Sequence, residues 1–183
     1  MQKWLPLIIF IVILGFARII GAFHEIHNFQ PLGALFFCGM AMFGVRWIWV
    51  PAVAWFLSYP ITSVINGHGW DAQMSVVVAG FGAMVGLAYF FRNKSMGMIF
   101  IGSLASAVLF YLITNTLSWM LNPAYVKSMS GLWQSLTVGL PGPMTTLEFF
   151  RNGFVAQALF SGVFLYAYQA VRSYPQLQEA KAA

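Results

Sequence analysis

Six long stretches of apolar residues, joined by polar links, make up most of this 183-residue chain. A helix needs about 20 apolar residues to cross the hydrocarbon core of a bilayer. The stretches therefore predict an all-α integral membrane protein, with one domain over residues 1–183 and six transmembrane helices. We predict these helices at residues 4–22, 32–45, 47–65, 74–91, 96–120 and 147–168. The second is short and rich in glycine, so we expect it to be tilted, extended or partly broken.

Composition supports a lipid-facing surface. Only 7% of the residues are charged and 60% are hydrophobic, whereas a soluble domain carries about a quarter charged residues. This excludes a cytosolic enzyme, a nucleic-acid-binding domain and a disordered segment, because each needs more polar surface. One cysteine also excludes a disulfide framework and a zinc site built from several cysteines.

The distribution of cations predicts the orientation, because lysine and arginine are more abundant in cytoplasmic loops. With the N-terminus inside, the cytoplasmic set is Lys3, Arg46, Arg92, Lys94, Arg172 and Lys181. The outer set is smaller: Arg18, Lys127 and Arg151. Both termini are therefore predicted to be cytoplasmic. Residues 15–17 have the small-x-small pattern of a signal-peptide cleavage site, but we expect the first helix to be retained.

Polar and ionisable residues collect on the outer side of this arrangement. All three histidines and three of the four acids fall there: His24, His27, His68, Glu25, Asp71 and Glu148. If the first helix continues, His24 and His27 share a face three residues apart and could chelate a metal. A closed metal site needs three or four ligands, so an interfacial polar cap is the favoured alternative. Trp70 is interpreted either as an interface anchor or as a pocket wall.

The fifth predicted helix ends in a polar and aromatic stripe that includes Asn115 and Trp119. A buried asparagine must satisfy its amide through another helix or a bound molecule, and both readings stay open. The following link, 122–146, is long for a compact membrane protein, and connections of this length are usually functional or disordered. Its stretch 132–140 is too apolar to be freely solvated, which predicts a lid or a partly inserted short helix.

Two other residues have competing interpretations. Arg151 can pair with Glu148 one turn earlier, or its planar fork of donors can bind a carboxylate or phosphate. Cys38, midway along the second helix, is either a small buried hydrophobe or a soft ligand to a metal.

Several segments carry a resemblance to a known family. Residues 27–35 and 109–115 with Trp119, then Tyr125, residues 130–132 and residues 148–152, resemble in order the signature of a bacterial family of uncharacterised membrane transport proteins. That family is in turn similar to the substrate-binding S-components of energy-coupling factor transporters. The resemblance skips residues 46–98. The chain departs from the pattern near Glu148 and Gln157, where the family has a proline and an acid.

The resemblance implies six helices, cytoplasmic termini and an outer pocket closed by the links after helices one, three and five. The implied function is binding of a small cofactor, vitamin or chelated metal for uptake across the bacterial inner membrane. The candidate pocket residues are His24, His27, Asn28, His68, Trp70, Asn115, Trp119, Tyr125, Trp133, Arg151 and Asn152. A metal ion or metal-containing ligand would be the substrate, with His24 and His27 as candidate ligands.

The expected partners are the small-molecule ligand, membrane lipid and energising subunits, namely a transmembrane T component and ATPases. The chain has no Walker-type loop, so an ATP-driven step needs such subunits. It also has no paired-carboxylate, Ser/His or HExxH constellation, and we expect no catalytic residue. Two alternatives remain: a histidine-ligated metal or haem redox protein, and a membrane assembly protein without a ligand.

Overall fold

The computed structural model describes residue 19 and residues 27–65 and 72–182, without the side chains of 62–63, 65, 72–73 and 171–182. This part of the chain is all-helical and contains no strand, which confirms the predicted all-α class. Its helices are α1 (Leu32–Phe43), α2 (Trp49–Ile65), α3 (Ala72–Phe90), α4 (Met96–Leu121), α5 (Met129–Leu136) and α6 (Thr146–Ala182), with a 3-10 helix at Val45–Trp47. The first predicted helix, 4–22, lies outside the described residues except for Ile19, which is helical.

Helix α1 is the centre of the bundle. Nine of its twelve residues are buried, and it packs against α2, α3, α4 and α6. A helix of this length measures about 18 Å, too short to cross a bilayer by itself. It ends two residues before the predicted boundary because Gly44 adopts a left-handed φ of 81° and donates its amide to the Met40 carbonyl at 3.0 Å. Such a φ favours glycine.

Helices α3 and α4 form a hairpin around a tight turn. Asn93 in that turn has a φ of 61°, a conformation that asparagine tolerates better than most residues. Ser95 caps α4 by accepting a hydrogen bond from the Met98 amide at 3.4 Å. With 26 residues and a mean hydropathy of 2.1, α4 is the one helix in the described residues that is long and apolar enough to cross a membrane. The six-helix transmembrane arrangement stays a prediction.

The link between α4 and α6 is folded. A short helix forms in it as predicted, but at Met129–Leu136 instead of 132–140. Ser128 starts α5 by accepting from the Gly131 amide at 3.2 Å, and the left-handed Gly139, with a φ of 80°, follows its end. Helix α5 packs against both α4 and α6.

Helix α6 begins with a reciprocal cap. Glu148 Oε2 accepts from the Thr145 amide at 2.8 Å, and Thr145 Oγ1 accepts from the Glu148 amide at 3.2 Å, which satisfies two otherwise unpaired donors. The helix continues to Ala182, well past the predicted boundary at residue 168.

Candidate functional site at the capped end of the helices

The link that precedes α1 is clamped onto the first turns of α6. Asn28 Nδ2 donates to the Phe149 carbonyl at 3.0 Å, and Asn152 Nδ2 donates to the His27 carbonyl at 3.2 Å. A Cβ at Gly153 would overlap the Asn28 amide, so the close approach depends on that glycine. The structure thus brings together four residues of the predicted pocket, namely His27, Asn28, Arg151 and Asn152.

Arg151 is exposed beside this clamp. Its Nε and Nη2 lie 3.4 and 3.3 Å from Asn152 Oδ1. Glu148, the alternative partner, instead has its Oε2 2.8 Å from Thr145 Oγ1. A guanidinium has five N–H donors, so most of this group's donors point away from the described contacts. The arrangement suits a carboxylate or phosphate.

A second group lies where α4 ends. Trp119 Nε1 donates to the Val126 carbonyl at 2.9 Å. Lys127 Nζ donates to the Trp119 carbonyl and, at 2.6 Å, to the Asn122 carbonyl. Lys127 therefore binds carbonyls at the C-terminus of α4, where a cation is also favoured by the helix dipole. From the sequence, Lys127 is predicted only as an outer-side charge, because it lies beyond the last turn of α4, where basic residues indicate a helix C-terminus.

Tyr111 connects three elements at this end. Its hydroxyl donates to the Leu136 carbonyl at the end of α5, and its ring lies 4.4 Å from that of Phe150 on α6. Asn115, one turn further along α4, donates Nδ2 to the Tyr111 carbonyl at 2.8 Å. This bond lies within α4, whereas the sequence led us to expect a bond to another helix or to a bound molecule. Tyr111 was not predicted as a site residue, because the partners of its side chain, Leu136 and Phe150, lie 25 or more positions away.

The two remaining aromatic candidates differ in burial. Tyr125 is buried, and burial raises the pKa of its phenol while the backbone of Leu140 lowers it in part. The phenol therefore stays protonated at neutral pH. Trp133 is 70% exposed on α5, so its ring lies mostly outside the packed part of the described structure.

A cavity of about 370 Å³ lies beside α5, within the range of small-molecule sites. Its lining residues are Gln134, Val138, Gly139, Leu140, Pro141, Gly142, Pro143, Met144, Thr145 and Glu148. No residue of the predicted pocket is among them. The structure therefore places the cavity in the loop after α5, next to the predicted residues.

A buried polar cluster lies deeper in the bundle. Gln157 Nε2 donates to Ser103 Oγ at 2.7 Å and to the Ser103 carbonyl at 3.3 Å, and the hydroxyls of Ser103 and Ser161 are 2.5 Å apart. Cys38 is fully buried with both hydroxyls in hydrogen-bonding reach of its thiol. Within the described ranges no three His, Cys, Asp or Glu side chains form a group that could hold a metal ion.

Three predicted pocket residues, His24, His68 and Trp70, lie outside the described residues. Of the two candidate metal ligands, His24 and His27, the structure therefore describes only His27.

Residues 1–178 match a family described as a family of unknown function, DUF6580. No curated protein and no solved structure gives a significant match. Because the family match spans nearly the whole sequence, the chain belongs to this family of unknown function.

Proposed function

We propose that this protein is a multi-pass protein of the bacterial inner membrane, with six transmembrane helices and cytoplasmic termini, that binds a small cofactor, vitamin or chelated metal at its outer end for uptake. One observation carries the proposal. The link between α4 and α6 is folded into a cap, with its own helix, at the same end of the bundle as the clamped link before α1. The resemblance to S-components implies a ligand pocket at this end of the bundle, closed by such links.

The exposed surface supports the embedding in lipid. Soluble monomers rarely expose large contiguous apolar patches, but each long helix here carries exposed large apolar side chains. On α2 and α6 these are Trp49, Val53, Phe56, Leu57, Ile61, Val64, Leu147, Phe149, Val155, Leu159, Val163 and Tyr166. Lipid tails cover such surfaces without any hydrogen-bonding cost.

The capped end offers chemistry for a ligand with an acidic group. Arg151 supplies a planar cation, and the loop beside α5 supplies a cavity of about 370 Å³. The two links meet on the first turns of α6, so a ligand that contacts Arg151 also contacts the clamped link. Energy for uptake would come from separate subunits, a transmembrane T component and ATPases, because the chain has no nucleotide-binding loop of its own.

Arg151→Ala is expected to lower the amount of co-purified small molecule by about tenfold or more, because a hydrogen bond to a charged group contributes about 1.5–3 kcal/mol. Arg151→Lys keeps the charge but loses the fork of donors, and we expect an intermediate loss. The measurement is native mass spectrometry of protein purified gently from cells grown in rich medium. The spectrum gives the mass and the amount of any small molecule that the protein releases when it is activated in the gas phase.

Val163→Ala is the matched control, since Val163 is exposed on α6 far from the cap and should leave the bound mass unchanged. Arg151 is exposed, so its variants should keep the melting temperature of the parent. A parent protein that carries only phospholipid would contradict the proposed function. A ligand that Arg151→Ala retains in full would contradict the assigned site.

A further inference from the structure

The end of the bundle opposite the cap carries cations that have no acidic partner among the described side chains. Arg46 belongs to the 3-10 helix after α1, and Arg92 and Lys94 belong to the turn between α3 and α4. All three are exposed, and no ion pair involves them in the part of the chain that the structure describes. The acid with a described side chain, Glu148, lies beyond the other end of α4, a helix about 39 Å long.

The two cations at the capped end are different. Lys127 donates to backbone carbonyls, and Arg151 donates to Asn152. The three cations at the opposite end have no such contact among the described residues. They are therefore the cations most available to an outside anion.

Local geometry brings two of these cations to one turn. Arg92 Nη2 and Cζ lie 3.4 and 3.7 Å from the position that a Cβ would take at Gly44. The guanidinium of Arg92 therefore lies against the link between α1 and α2, two residues from Arg46. Like charges held near each other repel, and a bound anion relieves that repulsion.

Aromatic and apolar side chains surround the cations. Trp47 and Trp49 are 42% and 43% exposed, and Trp47 packs against Phe43 with ring centroids 4.9 Å apart. Tryptophan is enriched at the level of lipid headgroups. Val45 and Phe90 are exposed beside them. An anionic phospholipid fits this surface, because it combines an anionic phosphate with apolar acyl chains.

We propose that Arg46, Arg92 and Lys94 bind the phosphate of an anionic membrane phospholipid, whose acyl chains pack beside Trp47 and Phe90. The proposal depends on the membrane embedding proposed above but on no residue of the capped end. Loss of lipid binding and loss of the small-molecule ligand can therefore be measured separately on the same protein.

The test compares phosphatidylglycerol with zwitterionic phosphatidylcholine, titrated into the purified full chain and counted by native mass spectrometry. The parent should bind phosphatidylglycerol in preference, and added salt should weaken that preference by screening. Arg46→Gln with Arg92→Gln should reduce it by about twenty-five-fold, because each cation near an anionic lipid contributes roughly fivefold. Arg46→Lys with Arg92→Lys keeps both charges and should stay within about threefold of the parent.

Three results would overturn the proposal. One is a parent without preference for phosphatidylglycerol, and another is a double glutamine variant that keeps the preference. The third is displacement of the lipid by an excess of inorganic phosphate, which would show that a free phosphate is the ligand. The salt response of the parent alone tests the proposal if the double variants fail to fold.

Discussion

Gly131→Ala is expected to destabilise the cap by about 2–3 kcal/mol, toward the upper end of overpacking costs. A Cβ at Gly131 would overlap the backbone carbonyl of Val126 and would lie 3.3 Å from Trp119 Nε1. Because the first obstacle is backbone, no side-chain rotation can relieve the overlap. The cap must then shift, and the hydrogen bond from Trp119 to Val126 is lost with it.

The measurement is thermal unfolding in detergent, where we expect the melting temperature to fall by roughly 5–10 °C. Gly142→Ala is the matched control in the same link, because its nearest contact would be the Leu140 carbonyl at an ordinary 3.7 Å. Limited proteolysis should cut the link between α4 and α6 faster in Gly131→Ala alone. Equal stability of the two variants would contradict the described packing of α5.

Gln157→Leu is expected to lower the free energy of unfolding by about 1–3 kcal/mol, the cost of leaving buried polar groups unpaired. Gln157 is 4% exposed and its amide joins α6 to Ser103 on α4. Leucine has a similar volume but offers no donor to Ser103 Oγ or to the Ser103 carbonyl. The decrease in the free energy of unfolding therefore reports the lost polar contact, because the packed volume changes little.

A double-mutant cycle with Ser103→Ala separates this contact from other effects. We expect a coupling energy of about 1 kcal/mol, as found for hydrogen bonds between membrane helices. Ala167→Leu, which places a leucine on the exposed side of α6, is the control and should change stability by less than about 0.5 kcal/mol. Additive losses in the cycle would show that Gln157 and Ser103 do not stabilise each other.

The sequence predicts a helix at the correct place wherever a single apolar stretch forms a single helix. The prediction for the fifth stretch, 96–120, differs from α4 by one residue, because Ser95 is a good N-cap and 26 mostly apolar residues without a charge or proline follow it. The predicted helix boundaries were wrong where the conformation of the backbone at one residue ends or begins the helix. The left-handed Gly44 shortens α1, and the Ser128 cap moves α5 toward the N-terminus.

Only part of the candidate site could be predicted from the sequence. His27, Asn28, Arg151 and Asn152 were named because they are polar residues at predicted helix ends, and the structure brings them together. The amide side chains of Asn28 and Asn152 donate hydrogen bonds to backbone carbonyls, and no residue pattern in the sequence predicts such bonds. The buried contact of Gln157 with Ser103 joins positions 54 apart, and such pairing depends on how the helices pack.

The proposed function depends on the capped end facing outward and the cation-bearing end facing the cytoplasm, and cysteine labelling in spheroplasts tests this most directly. Cys38 is fully buried, so the parent should give little background with a membrane-impermeant maleimide. We predict that Pro141→Cys in the cap is labelled in intact spheroplasts, whereas Lys94→Cys is labelled only after lysis. Labelling of Lys94→Cys in intact spheroplasts, with Pro141→Cys protected until lysis, would contradict this orientation and with it the proposed uptake of a ligand at the capped end.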